Sequence, residues 1–270
     1  MSQSEVSRIV VFMVVVGVGV LPADAVAGTL FCAVDWQRHF THIDSDEGQV
    51  PPTRSDLPRG LQALAYSPSG TLYLASDGVD SAPGALYAMN PQTGDTTQVV
   101  SVSTDIRGMA CSAAGVLYVT AGTKDFLTPQ SLRVLDPSTG DYTDVGALWG
   151  DAISAQGLAF SPSGQLYGIT GHVPMTGYGY ALYTIDVVSA RMQKVGSFLG
   201  SDLSEGIAFT PSGDLYAVGK HFARLDPVTG AVIGAVYTLP YQYRAIEAVP
   251  EPASLLLLAV AGLICLRRSA

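Results

Sequence analysis

Residues 156–170 read QGLAFSPSGQLYGIT, and after a loop residues 181–196 read ALYTIDVVSARMQKVG. Four short runs in this stretch are rich in aliphatic, aromatic and β-branched residues: Gly157–Phe160, Gln165–Thr170, Ala181–Ile185 and Met192–Val195. Short runs of that kind separated by turn residues predict four strands. The turn between the first two, Ser161-Pro162-Ser163-Gly164, recurs as Ser67-Pro68-Ser69-Gly70, Ser112-Ala113-Ala114-Gly115 and Thr210-Pro211-Ser212-Gly213. Proline presets φ at the second position and glycine tolerates positive φ at the fourth, which is tight-turn chemistry.

A second turn follows later in each copy: Asn90 to Gly94, Asp136 to Gly140 and Asp226 to Gly230, with weaker forms from Asp44 to Gly48 and Asp186 to Ala190. Asp or Asn at the first position predicts an Asx-turn onto its own backbone. These turns start at 44, 90, 136, 186 and 226, a period of 40 to 50 residues. Four strands at that period mark a β-propeller blade, because a lone sheet exposes two apolar faces and stacked blades bury both.

The chain ends set the blade count. Thr29 to Val34 matches the second strand of the other copies, not the first. The missing first strand reads at the other end as Arg244-Ala245-Ile246-Glu247-Ala248-Val249, which aligns with Arg107-Gly108-Met109-Ala110-Cys111-Ser112. Four whole copies and one split copy predict an all-β fold, a five-bladed β-propeller over residues 28–249 whose first blade is closed by the C-terminal strand.

Residues 1–27 read as a secretory signal peptide: Arg8, an apolar run Ile9–Leu21, and Ala25-Val26-Ala27 as a small-residue cleavage site. Thirteen helical residues reach about 20 Å, short of a hydrocarbon core of about 30 Å, so cleavage before Gly28 is expected over permanent anchoring. Charged residues make up 14% of the chain and the net charge is −9. That acidity argues against nucleic acid or anionic lipid as the main partner. Cys32 and Cys111 fall in different predicted blades and read as two buried thiols rather than a disulfide.

At the other end, Val249-Pro250-Glu251-Pro252-Ala253-Ser254 precedes the apolar run Leu255–Leu266 and Arg267-Arg268. This tripartite tail, residues 250–270, closely resembles the PEP-CTERM protein-sorting signal of Gram-negative bacteria. The resemblance covers about the last 20 residues, with Pro250, Glu251, Pro252, the short apolar helix, Arg267 and Arg268 in the family's order. It implies recognition by a membrane-embedded exosortase, cleavage near the Pro-Glu-Pro and delivery to the cell surface or exopolysaccharide matrix. A helix of twelve residues is about 18 Å long, enough for transient anchoring, and the arginines belong on the cytoplasmic side.

The search for chemistry is less productive. His39 and His42 straddle a predicted strand with no partner at ligand spacing, and read as ordinary strand residues. Asp44-Ser45-Asp46-Glu47-Gly48 lacks a full calcium-loop pattern and coincides with a repeat turn. There is no Gly-x-Ser-x-Gly elbow. No cofactor is expected.

Equivalence between copies is more informative. The residue before the small Gly or Ala of each first strand is Gln62, Arg107, Gln156, Glu205 or Arg244. All five are polar and predicted to ring the channel entrance. The loop 171–181 adds His172 and Tyr178 as candidate contacts.

The sequence therefore predicts an exported surface or matrix protein, non-enzymatic, recognising a glycan, small molecule or protein. The expected partners are signal peptidase and the exosortase-type protease during export, and an exopolysaccharide or surface protein afterwards. A secreted hydrolase or lyase using the channel, and a purely structural surface protein, are the competing expectations.

Overall fold

The computed structural model describes residues 29–249 apart from 47, 50–53, 59, 77–83, 123–127, 171–179 and 198–202. The signal peptide, the Pro-Glu-Pro tail, His172 and Tyr178 lie outside the described residues. Blade one comprises β1 (Leu30–Asp35), β2 (Phe40–Asp44), β3 (Gly48–Gln49) and, from the far end of the chain, β21 (Tyr243–Ala248). Blade two is β4 (Leu61–Tyr66), β5 (Leu72–Ser76), β6 (Gly84–Met89) and β7 (Thr96–Val102). Blade three is β8 (Ile106–Cys111), β9 (Leu117–Ala121), β10 (Ser131–Leu135) and β11 (Tyr142–Ala147).

Blade four holds β13 (Gly157–Phe160), β14 (Leu166–Thr170), β15 (Ala181–Ile185) and β16 (Arg191–Ser197). Blade five is β17 (Gly206–Phe209), β18 (Leu215–Val218), β19 (His221–Leu225) and β20 (Val232–Thr238). Blade four departs from the four-strand expectation. The short β12 (Trp149–Gly150) pairs parallel with β16 and makes a fifth, outermost strand. The Trp149 indole donates to the Ser189 carbonyl at 2.8 Å, and Asp151 accepts the Lys194 amide at 2.8 Å, which holds the added strand in place.

Both turn families form as their residues dictate. In the first, the glycine amide donates back to the first turn carbonyl at 2.9–3.0 Å, and the Ser or Thr hydroxyl accepts the amide that follows the glycine. In the second, the Asx side chain accepts the amide two residues on, as Asp136 does from Ser138 and Asp226 from Val228, both at 2.8 Å. The closing residue is left-handed, glycine in most copies, and Ala190 adopts φ 59° where the others have glycine. Asp44 likewise accepts the Asp46 amide at 2.7 Å, so this acidic stretch is built as a repeat turn.

The inner strands β21, β4, β8, β13 and β17 contact one another in ring order around the axis. Each interface between neighbouring blades has its own apolar cluster, from Phe31, Phe222 and Tyr243 between blades five and one to Leu158, Tyr183 and Met192 between blades three and four. The ring closes tightly because inner-strand residues are small. A Cβ on Gly157 would lie 2.9 Å from the Glu205 carbonyl oxygen, and one on Gly206 would lie 2.9 Å from the Ala245 Cα. The outer strands β7, β11 and β20 are largely exposed.

Candidate binding site at the channel mouth

Gln62, Arg107, Gln156, Glu205 and Arg244 converge on one recess at the axis, as their equivalence in the repeats predicted. A distortion shared by all the blades puts them there. Leu61 pairs with Ser76 and Ala63 with Ala75, so Gln62 is an extra residue in its strand. Arg107 and Arg244 are extra in the same way. The amides of Gln156 and Glu205 reach Ile169 and Val218, which also pair with the following glycines. A β-bulge re-aims the side chain at its kink, here five times toward the axis.

Beneath the polar ring comes a layer of Ala63, Gly108, Gly157, Gly206 and Ala245, then Leu64, Met109, Leu158, Ile207 and Ile246. That last ring is buried, with every side chain at 3% exposure or less, and its members pack into the clusters between blades. The recess among the polar residues measures about 30 Å³ and narrows to about 10 Å³ below. One ordered water needs roughly 10–15 Å³ by this measure. The recess therefore has water-sized room, and a larger ligand must be met at the open mouth.

The mouth is electrostatically paired. Arg244 Nη1 meets Glu205 Oε2 at 2.5 Å, and Gln242 Nε2 donates to Glu205 Oε1 at 2.8 Å. Arg107 pairs with Asp105 just before it in the chain, and its buried Nε has no hydrogen-bond partner among the described residues.

A second cluster at the same face escaped the sequence reading. Asp35, at the end of β1, is buried and accepts the His39 amide at 2.8 Å. Its other oxygen pairs with His39 Nδ1 at 2.7 Å, so His39 does have an acidic partner, contrary to the expectation of an ordinary strand residue. The imidazole stacks on Tyr241 at 3.9 Å between ring centres. Trp36 is 45% exposed, and the Arg244 guanidinium lies 5.7 Å from its ring centre. The legible signal was an Asp four residues ahead of a His across a hairpin turn, which reads as turn chemistry until the fold brings residues 241–244 beside it. His42 instead turns Nε2 to the Pro91 carbonyl at 2.7 Å, a contact between blades.

Cys32 and Cys111 are free thiols, Cys32 buried as expected and Cys111 only half-buried. Cys32 also faces the Pro91 carbonyl, and burial pushes its thiol far up, with a smaller contribution from Glu247. Cys111 is raised by the same two causes in the same order. No group of three or more His, Cys, Asp or Glu with metal-binding geometry occurs among the described residues.

No family model and no curated protein matches the sequence. Solved structures do. A chain of a nidogen/laminin complex is 10% identical over 83% of this chain and 99% of its own, with a TM-score of 0.54. A candidate gluconolactonase is 15% identical over 81% of each chain, TM-score 0.50. TolB from Acinetobacter baumannii is 14% identical over 85% of this chain and 68% of its own, TM-score 0.49. These are propeller proteins, and at such identities the likeness is one of fold.

Proposed function

We propose that this chain is an exported, non-enzymatic binding protein of the cell surface or extracellular matrix, which meets its ligand at the mouth of the propeller channel. The observation that carries the reading is the convergence of Gln62, Arg107, Gln156, Glu205 and Arg244 above a layer of buried apolar side chains. A recess of about 30 Å³ encloses neither a sugar nor a metabolite, so recognition falls to the open face around it. Polar groups already oriented by bulges and ion pairs lose little freedom on binding, which favours affinity. Export rests on the leader and on the tail that resembles a sorting signal.

A binding screen of glycans and metabolites against the secreted protein tests this. Arg107→Gln combined with Arg244→Gln should weaken any specific ligand at least tenfold with the fold intact by circular dichroism. An unchanged affinity moves recognition away from the mouth.

One observation favours a second reading, a secreted hydrolase. The Asp35–His39 pair holds Nδ1, which leaves Nε2 to accept a proton as a general base would. Ester turnover that is lost in His39→Gln and retained in the ring variants would support it over the first.

A further inference from the structure

We infer that Trp36 is a stacking platform for a neutral pyranose, with Arg244, Glu205 and Gln242 as its hydrogen-bonding rim; this rests on the reading of the mouth as a binding surface. The Trp36 indole is 45% exposed beside the polar ring, with the Arg244 guanidinium over it. The other exposed indole, Trp149, sits on the outer edge of blade four, away from the polar ring.

The turn that carries Trp36 is held from several directions. Asp35 accepts both the His39 amide and its ring N–H. Tyr241 stacks on His39, and the Arg38 guanidinium donates to the carbonyls of Leu57 and Asp56. Arg38 itself has φ 80°, a conformation a side-chain-bearing residue keeps only when its surroundings impose it. The short segment Tyr241 to Arg244 thus fastens the Trp36 turn through Tyr241 and the polar ring through Gln242 and Arg244. The platform and its rim form one preorganised unit.

The chemistry of the rim selects the ligand. A pyranose offers an apolar C–H face, which packs on an indole, and hydroxyls that both donate and accept. The Gln242–Glu205–Arg244 network likewise supplies planar donors and acceptors in fixed positions. Charge selects against an anionic sugar. Each guanidinium at the mouth already has a carboxylate, Arg244 with Glu205 and Arg107 with Asp105, and the chain as a whole carries −9.

The chain has two tryptophans, so Trp149→Phe leaves Trp36 as its single indole reporter. Titration of this variant with cellotetraose, chitotetraose and tetragalacturonate, followed by indole emission, reads the site directly. The emission difference between wild type and Trp36→Phe serves equally if Trp149→Phe disturbs β12. A neutral tetrasaccharide should give a saturable change and tetragalacturonate none. Calorimetry should then show at least a tenfold loss of affinity in Trp36→Ala and in Arg244→Gln. Absence of a saturable response to either neutral saccharide, a response to the uronate alone, or unchanged affinity in Trp36→Ala overturns the proposal. If Trp36→Ala binds normally while the double ring variant does not, the platform falls and the mouth reading stands. If neither affects binding, both fall.

Discussion

Glu247 occupies a position where the other blades carry Ala65, Ala110, Ala159 and Ala208. Across the ladder those alanines face Tyr73, Tyr118, Tyr167 and Tyr216, whereas Glu247 faces Cys32. A large residue has exchanged strands with a small one, which keeps the packed volume while placing a carboxyl in a half-buried position. Desolvation pushes Glu247 up to about 8 from its ordinary 4.5, opposed by hydrogen bonds from the Tyr66 and Ala248 amides. The folded state then holds the proton more tightly than the unfolded chain. Its contribution is fully present below about pH 4.5 and is lost as pH rises through about 8. The wild type should lose about 2–4 kcal/mol across that interval, and Glu247→Gln should remove most of the slope in denaturant melts taken at pH 5 and pH 8.5. Equal slopes in both proteins would show that Glu247 ionises without penalty. The turn carboxylates Asp136, Asp186 and Asp226 are lowered by hydrogen bonds from their own turns, so they act below their ordinary 3.8 and leave this window clear.

Strand β21 is the element on which the ring depends. It pairs with β1 from Phe31–Ala248 to Asp35–Tyr243 and buries Tyr243, Ala245 and Ile246. It also touches β4 and β17, the inner strands on either side, so it closes both blade one and the circle. Deletion of residues 243–249 should cost more than about 5 kcal/mol, comparable to the whole stability of an ordinary domain, and abolish cooperative unfolding. A truncated protein with an unchanged thermal transition would refute closure by this strand. Bulges are the other recurrent device. One sits in each inner strand at the polar ring, and another lies between the third and fourth strands of the four whole blades, as at Leu132/Arg133 and Leu182/Tyr183. The inner set aims chemistry at the axis, and the outer set adds twist to the exposed edge.

At the scale of the molecule, the apolar interfaces between blades supply the core. In the proposed export route the leader and the tail act before the ring does. Under the proposed export route, Pro250 and Pro252, which lack amide protons and disfavour helix, would keep the Pro-Glu-Pro segment extended and within reach of a protease. Replacement of Pro250-Glu251-Pro252 by alanines should leave the leader cut but keep the protein cell-associated at its precursor mass, read by immunoblot of cell and medium fractions. Release of the variant at the wild-type rate would show that the tail is not the sorting signal it resembles.

The repeat was legible because turns are local. Ser161 to Gly164 closes through its own backbone and hydroxyl, and Asp136 to Gly140 through its own carboxylate, so each copy announces its strands with no help from neighbours. Equivalence between copies then placed Gln62, Arg107, Gln156, Glu205 and Arg244 on one ring, since a repeat puts like positions at like radii. Three features needed the closed circle. The narrowing of the recess below the polar ring depends on how near the inner strands approach, which the closeness of Gly206 to Ala245 illustrates. The added strand β12 depends on an edge that exists only when blade four is complete. Trp36 and His39 meet Tyr241 and Arg244 only because residues two hundred positions apart in sequence are neighbours where the last strand enters the first blade. Sequence by itself determined the period, the blade count and the polar ring, all products of local turn chemistry repeated in register. Tertiary structure alone decided what stands beside the ring, because contacts across the closure arise from distant segments with no shared pattern.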